Sequence, residues 1–300
     1  MLNKIALLAN PAASNGTALP TAVTARDRFQ SLGVEVVSTV GLTAKDSLQQ
    51  VEECLQQDFD AIVVCGGDGM INLALQKMAF SGVPLGIIPA GTGNDHARAY
   101  GIPLDPKKAA DALVQGKTKT TDLGKLTAVN NPENTRIFGT IACQGFDSLV
   151  NEITNKMTWP SGPLRYNVAS LVEISTFTSI PTRVSAEDAD FFMELDATLV
   201  AIGNTTSYGG GANICPNANP TDGQFDVTII HGMNRVEAMK NLPKYFRGDG
   251  HDEKYVTTFH TNKLRVEMGR KIPTYCDGEH FHPTPIEAEI LPDAGLYLVP

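Results

Sequence analysis

Glycines stand beside a carboxylate at the end of an apolar run, in the stretch VVCGGDGMIN at residues 63–72. Gly66 and Gly67 carry no Cβ, so the backbone there can approach a ligand closely. Asp68 offers hard carboxylate oxygens, which suit Mg²⁺ bound to a phosphate. The same residues also suit a tight turn from a strand into a helix, with Asp68 as the helix cap. The tetrapeptide alone leaves both interpretations open.

A second glycine-rich turn, PAGTGNDHAR at residues 89–98, follows another apolar run. Gly91 and Gly93 permit positive φ and a close approach of the backbone to a phosphate. This turn matches neither the Walker A pattern GxxxxGK[ST] nor the dinucleotide pattern GxGxxG. Phosphate binding here would therefore have to use backbone amides, hydroxyl groups and a metal ion.

Two stretches in the second half of the chain also place a carboxylate beside a glycine. They are CPNANPTDGQFDV at residues 215–227 and YCDGEHF at residues 275–281. Asp-Gly is a common turn dipeptide, so Asp222-Gly223 and Asp277-Gly278 are also consistent with a simple β-turn and a hairpin loop. The histidines in and after the second stretch lack a third ligand at suitable spacing, so we expect no zinc there.

Length and composition restrict the class of protein. With 300 residues, the chain is long enough for about two domains. A net charge of −9 disfavours a general nucleic-acid binder. That charge also disfavours tight adhesion to anionic membranes, although it allows a local basic patch. Five scattered cysteines, no leader peptide and no apolar run of about 18 residues predict a reduced, cytoplasmic protein.

The first 124 residues alternate short apolar runs with helical patterns. Strands are predicted at KIALLA, VEVVSTV, AIVVC and PLGIIP, and helices near residues 21–31, 45–57, 70–79 and 107–115. This order is typical of a parallel sheet covered by helices on both faces. Ligands of such folds gather at the carboxyl ends of the strands, where the glycine-rich turns fall.

After about Gly124 the pattern changes to that of half-buried antiparallel strands. Strict alternation at residues 264–268 and 286–290, with the strand-like runs LDATLVAIG and FDVTI, indicates a mainly β domain. Two helices are predicted within it, one from about Pro163 and one from about residue 234 to residue 247. The sequence therefore predicts an α/β domain followed by a mainly antiparallel β domain.

Three motifs taken together, CGGDGMIN, GIIPAGTGNDHAR and PNANPTDGQFDV, closely resemble the diacylglycerol kinase catalytic-domain family, and more narrowly its small soluble bacterial lipid kinases. The resemblance implies a Rossmann-like α/β ATP-binding domain of the NAD kinase and diacylglycerol kinase type at residues 1–124. A β-sandwich lipid-substrate domain would follow at residues 125–290, and a tail at about 291–300 would return to the first domain. The implied reaction is ATP-dependent transfer of the γ-phosphate to a hydroxyl of diacylglycerol or a similar lipid.

The resemblance also implies roles for individual residues around the nucleotide. In similar kinases the GGDG loop lies under the triphosphate, and Asp68 would act near the catalytic Mg²⁺. Asp95, Arg98 and Asp122 would form a charge network that supports the second loop. The nucleotide-binding candidates are Asn10, Thr39, Gly66, Gly67, Gly69, Gly91, Thr92, Gly93 and Asn94.

On the acceptor side, the resemblance makes Glu279 the candidate general base for the lipid hydroxyl, with Asp277 beside it near Mg²⁺. Asp68 competes with Glu279 for the role of base. In related bacterial kinases the residue at Asp222 holds a structural Mg²⁺ together with backbone carbonyls. Those carbonyls would here belong to Asn219 and Gln224.

Two alternatives remain: departures from the family pattern keep one open, and the GGDG motif shared with NAD kinases suggests the other. Met70 replaces the hydroxyl residue of the common GGDGT, and the first loop, NPAASNG, lacks the basic residue common in related sequences. A catalytically silent nucleotide-binding regulator is one alternative, although the joint presence of Asp68, Asp222 and Glu279 argues against it. An NAD kinase-like enzyme is the other, but the Asn-Glu pair expected after its GGDG loop is absent.

The expected partners are ATP and a lipid, with transient contact to the inner membrane surface, no nucleic acid and a possible homodimer. The candidate membrane contact is RVEAMKNLPKYFRG at residues 235–248, which combines four basic residues with apolar and aromatic ones. Pro243 would kink this helix and let Tyr245 and Phe246 point outward. An ordinary surface helix is the competing interpretation. Trp159 and the helix after it are a weaker candidate for the border of a lipid pocket.

Overall fold

A computed structural model of the chain describes residues 1–11, 18–157, 168–169, 172–173, 177–248 and 254–300. Most of the first loop, Trp159 and most of the helix predicted from about Pro163 lie outside these residues. The described chain forms two compact units. One consists of Met1–Leu123 together with Pro292–Pro300, and the other of Gly124–Leu291.

The first unit contains a parallel sheet whose central strands are buried on both faces. Its strands are β1 (Lys4–Ala9), β2 (Glu35–Val40), β3 (Ala61–Gly66) and β4 (Leu85–Pro89), in the order β4-β3-β1-β2. Every residue of β3 and β4 is buried, which explains why these strands read as continuous apolar runs. On the outer side of β4, Tyr297 of the last strand pairs in parallel with Leu85.

Three helices connect the parallel strands of this unit, because such strands need a crossover to run in the same direction. They are α1 (Ala18–Ser31), α2 (Ala44–Leu55) and α3 (Asp68–Met78), and two further helices, α4 (Asp95–Ala99) and α5 (Pro106–Leu113), follow β4. A capping box formed by Thr43 and Asp46 begins α2, and the Asp105 carboxylate caps α5. Helix α3 begins two residues earlier than predicted, so Asp68 lies in its first turn.

The second unit is mainly antiparallel. Its strands are β5 (Thr118–Ala128), β6 (Asn131–Phe138), β7 (Ile141–Gly145), β8 (Ile180–Ala186), β9 (Phe191–Gly203), β10 (Phe225–His231), β11 (Val256–Thr261), β12 (Lys263–Met268), β13 (Pro273–Cys276), β14 (Glu279–Pro283) and β15 (Ile286–Leu298). Of these, β5 begins in the first unit and β15 ends in it. Two helices of this unit are α6 (Phe146–Lys156) and α7 (Arg235–Tyr245).

Strands β7 and β9 pair antiparallel and separate two hydrophobic cores. Alternating side chains explain this arrangement, because successive residues of a strand point to opposite faces. Ala142 and Val200 face a core built with β8, β10, β12 and β15. Cys143 and Leu199 face a core completed by α6 and α7. Both faces of the central strands are therefore covered by apolar side chains.

The fold class predicted from the sequence, an α/β domain followed by a mainly antiparallel β domain, is confirmed. Helix α6 was not predicted, although Phe146, Val150 and Ile153 follow helical spacing, and neither was the β5–β6 hairpin. The outward orientation expected for Tyr245 is wrong, because its side chain is buried in the core beneath α7 and Phe246 packs against the same core. Among the described residues, no helix is both long and apolar enough to cross a membrane.

Candidate functional site

The glycine-rich turns that follow β3 and β4 touch each other through their backbones. The backbone N–H of Ala90 donates to the carbonyl of Gly66 at 2.9 Å. A Cβ added to Gly67 would lie 3.0 Å from the Cα of Gly91, and a Cβ on Gly91 would collide with the Cα of Gly67. The close backbones leave no space for a Cβ at Gly91, and a Cβ at Gly67 would require the Gly91 backbone to shift by a few tenths of an ångström.

Asn94 closes the second turn upon itself. It adopts the left-handed conformation with φ of 54°, which asparagine tolerates better than most residues. Its Oδ1 accepts the backbone N–H of Gly91 at 2.9 Å, and its Nδ2 donates to the carbonyl of Gly91 at 2.8 Å. Asn94 was one of the nucleotide-binding candidates, and in the structure its side-chain amide holds the loop in shape.

Asp68 and His96 bring the two turns together through their side chains. The backbone N–H of His96 lies 3.0 Å from Oδ1 of Asp68, and Nδ1 of the imidazole lies 3.1 Å from the same oxygen. His96 is fully buried, whereas the Asp68 side chain keeps 15% of its surface exposed. Burial by itself raises the pKa of Asp68, but the hydrogen bonds and charge of His96, with a backbone hydrogen bond from Asp95, outweigh it and leave the pKa below its ordinary value.

The contact between Asp68 and His96 was not foreseen from the sequence. The two residues are separated by 28 positions, and no local pattern links them. The available signal was a histidine within the first turn of a short helix that directly follows a glycine-rich loop. Such a position lies beside any group bound at the carboxyl edge of a parallel sheet.

Arg98 ties down the remainder of the second turn. Its Nη1 donates to Oδ1 of Asp95 at 2.8 Å and to the carbonyl of Gly93 at 3.1 Å. Asp122, the third member of the expected network, is buried, and its Oδ1 accepts the backbone N–H of Asp293 at 3.0 Å. Asp122 thus links the end of the first unit to the terminal segment that belongs to the same unit.

The other nucleotide candidates lie along the same edge of the sheet. Asn10 directly follows β1, just as Gly67 follows β3 and Ala90 follows β4, and parallel strands end on a common edge. Thr39 lies near the end of β2, and its hydroxyl is buried with no hydrogen-bond partner among the described residues. Thr92 is exposed at the tip of the second turn. This edge presents glycine backbone, hydroxyl groups and one anchored carboxylate.

In the second unit, Asp277 and Gly278 form the turn of the β13–β14 hairpin. Both residues have positive φ, 50° and 80°, as a type I′ turn requires. Asp277 is only 4% exposed, and its carboxylate accepts the backbone N–H groups of Gly139 at 2.9 Å and Thr140 at 2.8 Å. We expected Asp277 beside Mg²⁺, whereas its two oxygens anchor the hairpin to the turn before β7.

Glu279 is the first residue of β14, and it pairs with Cys276 across the hairpin. Its side chain is exposed, so a ligand can reach it. Of the neighbouring histidines, the ring of His280 packs edge to face against Tyr275, and Nδ1 of His282 lies 2.7 Å from the carbonyl of Pro283. Across the described part of the chain, no three His, Cys, Asp or Glu side chains cluster in a way that could hold a metal.

Asp222 lies in an exposed turn before β10. Its Oδ1 accepts the backbone N–H of Gln224 at 3.1 Å, and Gly223 has a φ of 75°. The hydroxyl of Thr221 donates to the side-chain oxygen of Asn219 at 2.8 Å. These contacts form a local Asx-type turn, and magnesium binding by Asp222 with the carbonyls of Asn219 and Gln224 stays a prediction.

Asp147, in the first turn of α6, is a buried carboxyl group that we did not predict. It is 8% exposed, and its Oδ2 has no hydrogen-bond partner in the described part of the chain. Burial raises the pKa of Asp147 to about 7. Burial and the nearby Asp147 together raise the pKa of the Cys143 thiol well above its usual range. Asp147 is therefore a group that can change its charge near neutral pH.

Comparison with known families covers both units. The family model for the diacylglycerol kinase catalytic domain matches residues 4–126. The family model for the YegS C-terminal NAD kinase beta sandwich-like domain matches residues 140–298. The first match contains the two glycine-rich turns, and the second contains the turns at Asp222 and Asp277.

Relatives match over nearly the full length of the chain. A diacylglycerol kinase of Mycobacterium tuberculosis is 41% identical over 300 residues, which is 100% of this chain and 96% of that protein. A diacylglycerol kinase of Bacillus subtilis is 29% identical over 257 residues, with 84% and 82% covered. Among solved structures, a diacylglycerol kinase from Bacillus anthracis superposes with a TM-score of 0.75 at 20% identity, covering 100% of this chain and 97% of that one.

At 20% identity, the match to the solved structure shows a shared fold only, whereas the sequence matches show common ancestry. Both family models, the full-length relatives and the paired glycine-rich turns agree with the resemblance drawn from the motifs. The chain belongs to the diacylglycerol kinase catalytic-domain family of lipid kinases.

Proposed function

We propose that this protein is an ATP-dependent lipid kinase that transfers the γ-phosphate to a hydroxyl group of diacylglycerol or a similar lipid. The observation that carries the proposal is the joined pair of turns in the first unit, where Gly67 contacts Gly91 and Asp68 contacts His96. This pair occurs in a chain whose relatives are named as diacylglycerol kinases.

The nucleotide would bind along the carboxyl edge of the parallel sheet. The backbone N–H groups at the start of α3 point toward this edge, and a helix N-terminus favours phosphate oxygens. Its glycines allow the backbone to approach the triphosphate without obstruction by a Cβ. The residues in contact with ATP would be Asn10, Thr39, Gly66, Gly67, Gly69, Gly91, Thr92 and Gly93, with Asn94 holding the second loop.

Asp68 is the group in this unit that fits a cation bound to the phosphates. Mg²⁺ is usually held by one or two carboxylates together with substrate phosphates, and one anchored, partly exposed carboxylate meets that need. When bound, Mg²⁺ supplies positive charge that stabilises the phosphate oxygens during transfer. The low pKa of Asp68 keeps the carboxylate ionised, so it can serve as a ligand at neutral pH.

Glu279 is the proposed general base for the acceptor. As the lipid oxygen forms its bond to the γ-phosphorus, Glu279 would take the hydroxyl proton, and ADP would leave as the bond to the β-phosphate oxygen breaks. Its exposed side chain stands at the end of a hairpin that Asp277 anchors. Asp277 then acts by positioning the hairpin, and Asp68 remains the competing candidate for the base.

A lipid substrate requires contact with a membrane surface, and the outward face of α7 supports that role. Val236 is 76% exposed and Met239 58% exposed, and the side chains of Arg235, Lys240 and Lys244 on the same helix are also exposed. The only acidic residue of this helix is Glu237. Its carboxylate accepts hydrogen bonds from the backbone N–H of Asn234 and the hydroxyl of Tyr255. Cations beside apolar side chains favour an anionic lipid surface.

Incubating the purified protein with labelled ATP, Mg²⁺ and a panel of acceptors tests the proposed function. The panel holds diacylglycerol, phosphatidylglycerol, a sphingoid base, an undecaprenyl-type alcohol and NAD. We expect label in one or more of the lipids and none in NAD. Label in NAD alone would indicate an NAD kinase-like enzyme. Nucleotide binding without any labelled acceptor would indicate a regulator.

A further inference from the structure

The second turn is held in shape by contacts that do not use the imidazole of His96. Three other contacts already fix that turn: Asn94 closes it on Gly91, Arg98 binds the carbonyl of Gly93, and Ala90 donates to Gly66. These contacts use backbone groups and side chains other than the imidazole. The ring instead extends to the other turn, where its Nδ1 meets the Asp68 carboxylate at 3.1 Å.

Both donors of His96 fall on one oxygen of Asp68. The backbone N–H and Nδ1 reach Oδ1 at 3.0 and 3.1 Å. An ionised carboxylate only accepts hydrogen bonds, so Nδ1 of His96 carries the proton in this contact. Two donors on one oxygen restrict rotation of the carboxylate about its Cβ–Cγ bond. The orientation of Oδ2, the other oxygen, follows from that restriction.

We propose that His96 is a positioning residue for phosphoryl transfer, and that it orients the Asp68 carboxylate toward the cation bound with ATP. This inference rests on the proposed function, because it assigns a cation to Asp68. Loss of a group that orients a metal ligand usually lowers metal affinity by about 10-fold to 100-fold. The effect of His96 should therefore appear in magnesium-dependent nucleotide binding and not only in activity.

Two amide variants separate orientation from polarity at this position. In His96→Asn, the side-chain Nδ2 replaces Nδ1 of the imidazole and can still donate to Asp68. In His96→Gln, the longer side chain places its nitrogen near the former Nε2, away from Asp68. Both are neutral, polar and able to donate, so they form a matched pair that differs mainly in where the donor lies.

The measurement is calorimetric binding of ATP across a magnesium titration, with thermal unfolding recorded for every variant. We expect His96→Gln to raise the Mg²⁺ concentration that gives half-maximal ATP binding by about 10-fold, and His96→Asn by less than about 3-fold. In the Asp68→Asn background, His96→Gln should cause no additional change. This non-additivity is expected because His96 acts through the Asp68 carboxylate.

Three results would overturn the inference. The first is equal weakening by His96→Asn and His96→Gln, and the second is an unchanged magnesium dependence in both. The third is a full effect of His96→Gln in the Asp68→Asn background, which would show a purely structural role. Failure of the proposed function looks different, since the wild type would then bind ATP with Mg²⁺ and label no lipid. If His96→Gln does not fold, weakened magnesium dependence in a folded His96→Asn would also count against the inference.

Discussion

The carboxylate of Asp277 accepts the backbone N–H of Thr140 at 2.8 Å, although the two residues are 137 positions apart in the sequence. The same carboxylate accepts the N–H of Gly139, and the side chain of Asn204 donates to the carbonyl of Gly139. The hairpin that presents Glu279 is thereby fixed to the turn before β7. Of the two carboxylates in this hairpin, that of Asp277 is buried and hydrogen-bonded, and that of Glu279 is exposed.

Replacing each carboxylate of this hairpin by its amide should distinguish the catalytic role of one residue from the structural role of the other. Glu279→Gln should lower kcat by about 10²-fold to 10⁴-fold, the usual contribution of a general base, with an unchanged Tm. Asp277→Asn should lower the free energy of unfolding by about 1–3 kcal/mol, because an amide nitrogen would face a backbone N–H. Steady-state kinetics and thermal unfolding of both variants test this. A Glu279→Gln enzyme with wild-type kcat would exclude Glu279 as the base.

Asp68→Asn should leave the fold intact and remove most of the phosphoryl transfer. The amide carries no charge to balance Mg²⁺, and loss of a catalytic carboxylate typically costs about 10²-fold or more. The circular dichroism spectrum should match that of the wild type, since part of the Asp68 side chain is exposed. Full activity of Asp68→Asn at saturating Mg²⁺ would refute the assignment of Asp68 to the catalytic cation.

A structural magnesium ion at Asp222 would reveal itself through stability. Binding to the folded state contributes about 2.7 kcal/mol at a ligand concentration 100 times Kd. Asp222→Ala should therefore lower Tm much more in Mg²⁺ than in a chelator. Loss of the Asx-type hydrogen bond to Gln224 costs only about 1 kcal/mol, and that cost is the same in both solutions. Equal destabilisation with and without chelator would mean that Asp222 is a turn residue only.

The raised pKa of Asp147 predicts a pH dependence of stability. Burial moves the pKa from an ordinary 3.8 to about 7, so the folded state keeps a proton that the unfolded chain has lost between those values. The free energy of unfolding should fall as pH rises from about 4 to about 7, by at most about 1.4 kcal/mol per pH unit, and then level off. Asp147→Asn should remove this part of the decline.

Urea unfolding of the wild type and Asp147→Asn at pH 5, 6, 7 and 8 measures the difference between the two proteins. The variant should gain relative stability as the pH rises from 5 to about 7 and little more by pH 8, because its amide never ionises. All other titrating groups are shared, so their contributions cancel in the difference. Parallel curves would show that Asp147 has an ordinary pKa in the folded protein.

Local sequence patterns were sufficient for the elements that they encode directly. The alternation of apolar runs with helical patterns predicted β1 to β4 and the helices between them. Burial on both faces explains the continuous apolar runs of β1, β3 and β4, whereas β2 is largely exposed. The glycines of the two turns were predicted to permit close backbone approach. What they approach in the structure is each other, at Gly67 and Gly91, and this requires knowledge of how β3 and β4 pair.

Contacts between distant residues explain what the sequence did not reveal. His96 and Asp68 meet only because α4 and α3 follow neighbouring strands of one sheet. Asp277 was expected near a metal, since nothing local indicates that two backbone N–H groups from another turn would reach its carboxylate. Tyr245 was expected to face outward because Pro243 suggested a kink, whereas α7 continues through that proline and keeps Tyr245 in the core.

Membrane contact through α7 can be tested by charge reversal. The variant Arg235→Glu, Lys240→Glu, Lys244→Glu should lose most of its binding to anionic vesicles, because each cation near such a surface contributes about 1 kcal/mol. Loss of three cations therefore corresponds to a decrease of about 100-fold in the vesicle partition coefficient. Sedimentation with vesicles that contain phosphatidylglycerol measures this coefficient, and activity on detergent-solubilised lipid should be unchanged.

A second triple variant serves as the matched control. Lys107→Glu, Lys108→Glu, Lys117→Glu changes the net charge of −9 by the same amount, at exposed positions of the first unit. If only total charge matters, both variants will lose vesicle binding equally, and α7 is not the docking surface. If the α7 variant changes the oligomeric state in analytical ultracentrifugation and keeps its vesicle binding, this face contacts a second copy of the chain. Selective loss of vesicle binding by the α7 variant alone is the result that a lipid-facing helix requires.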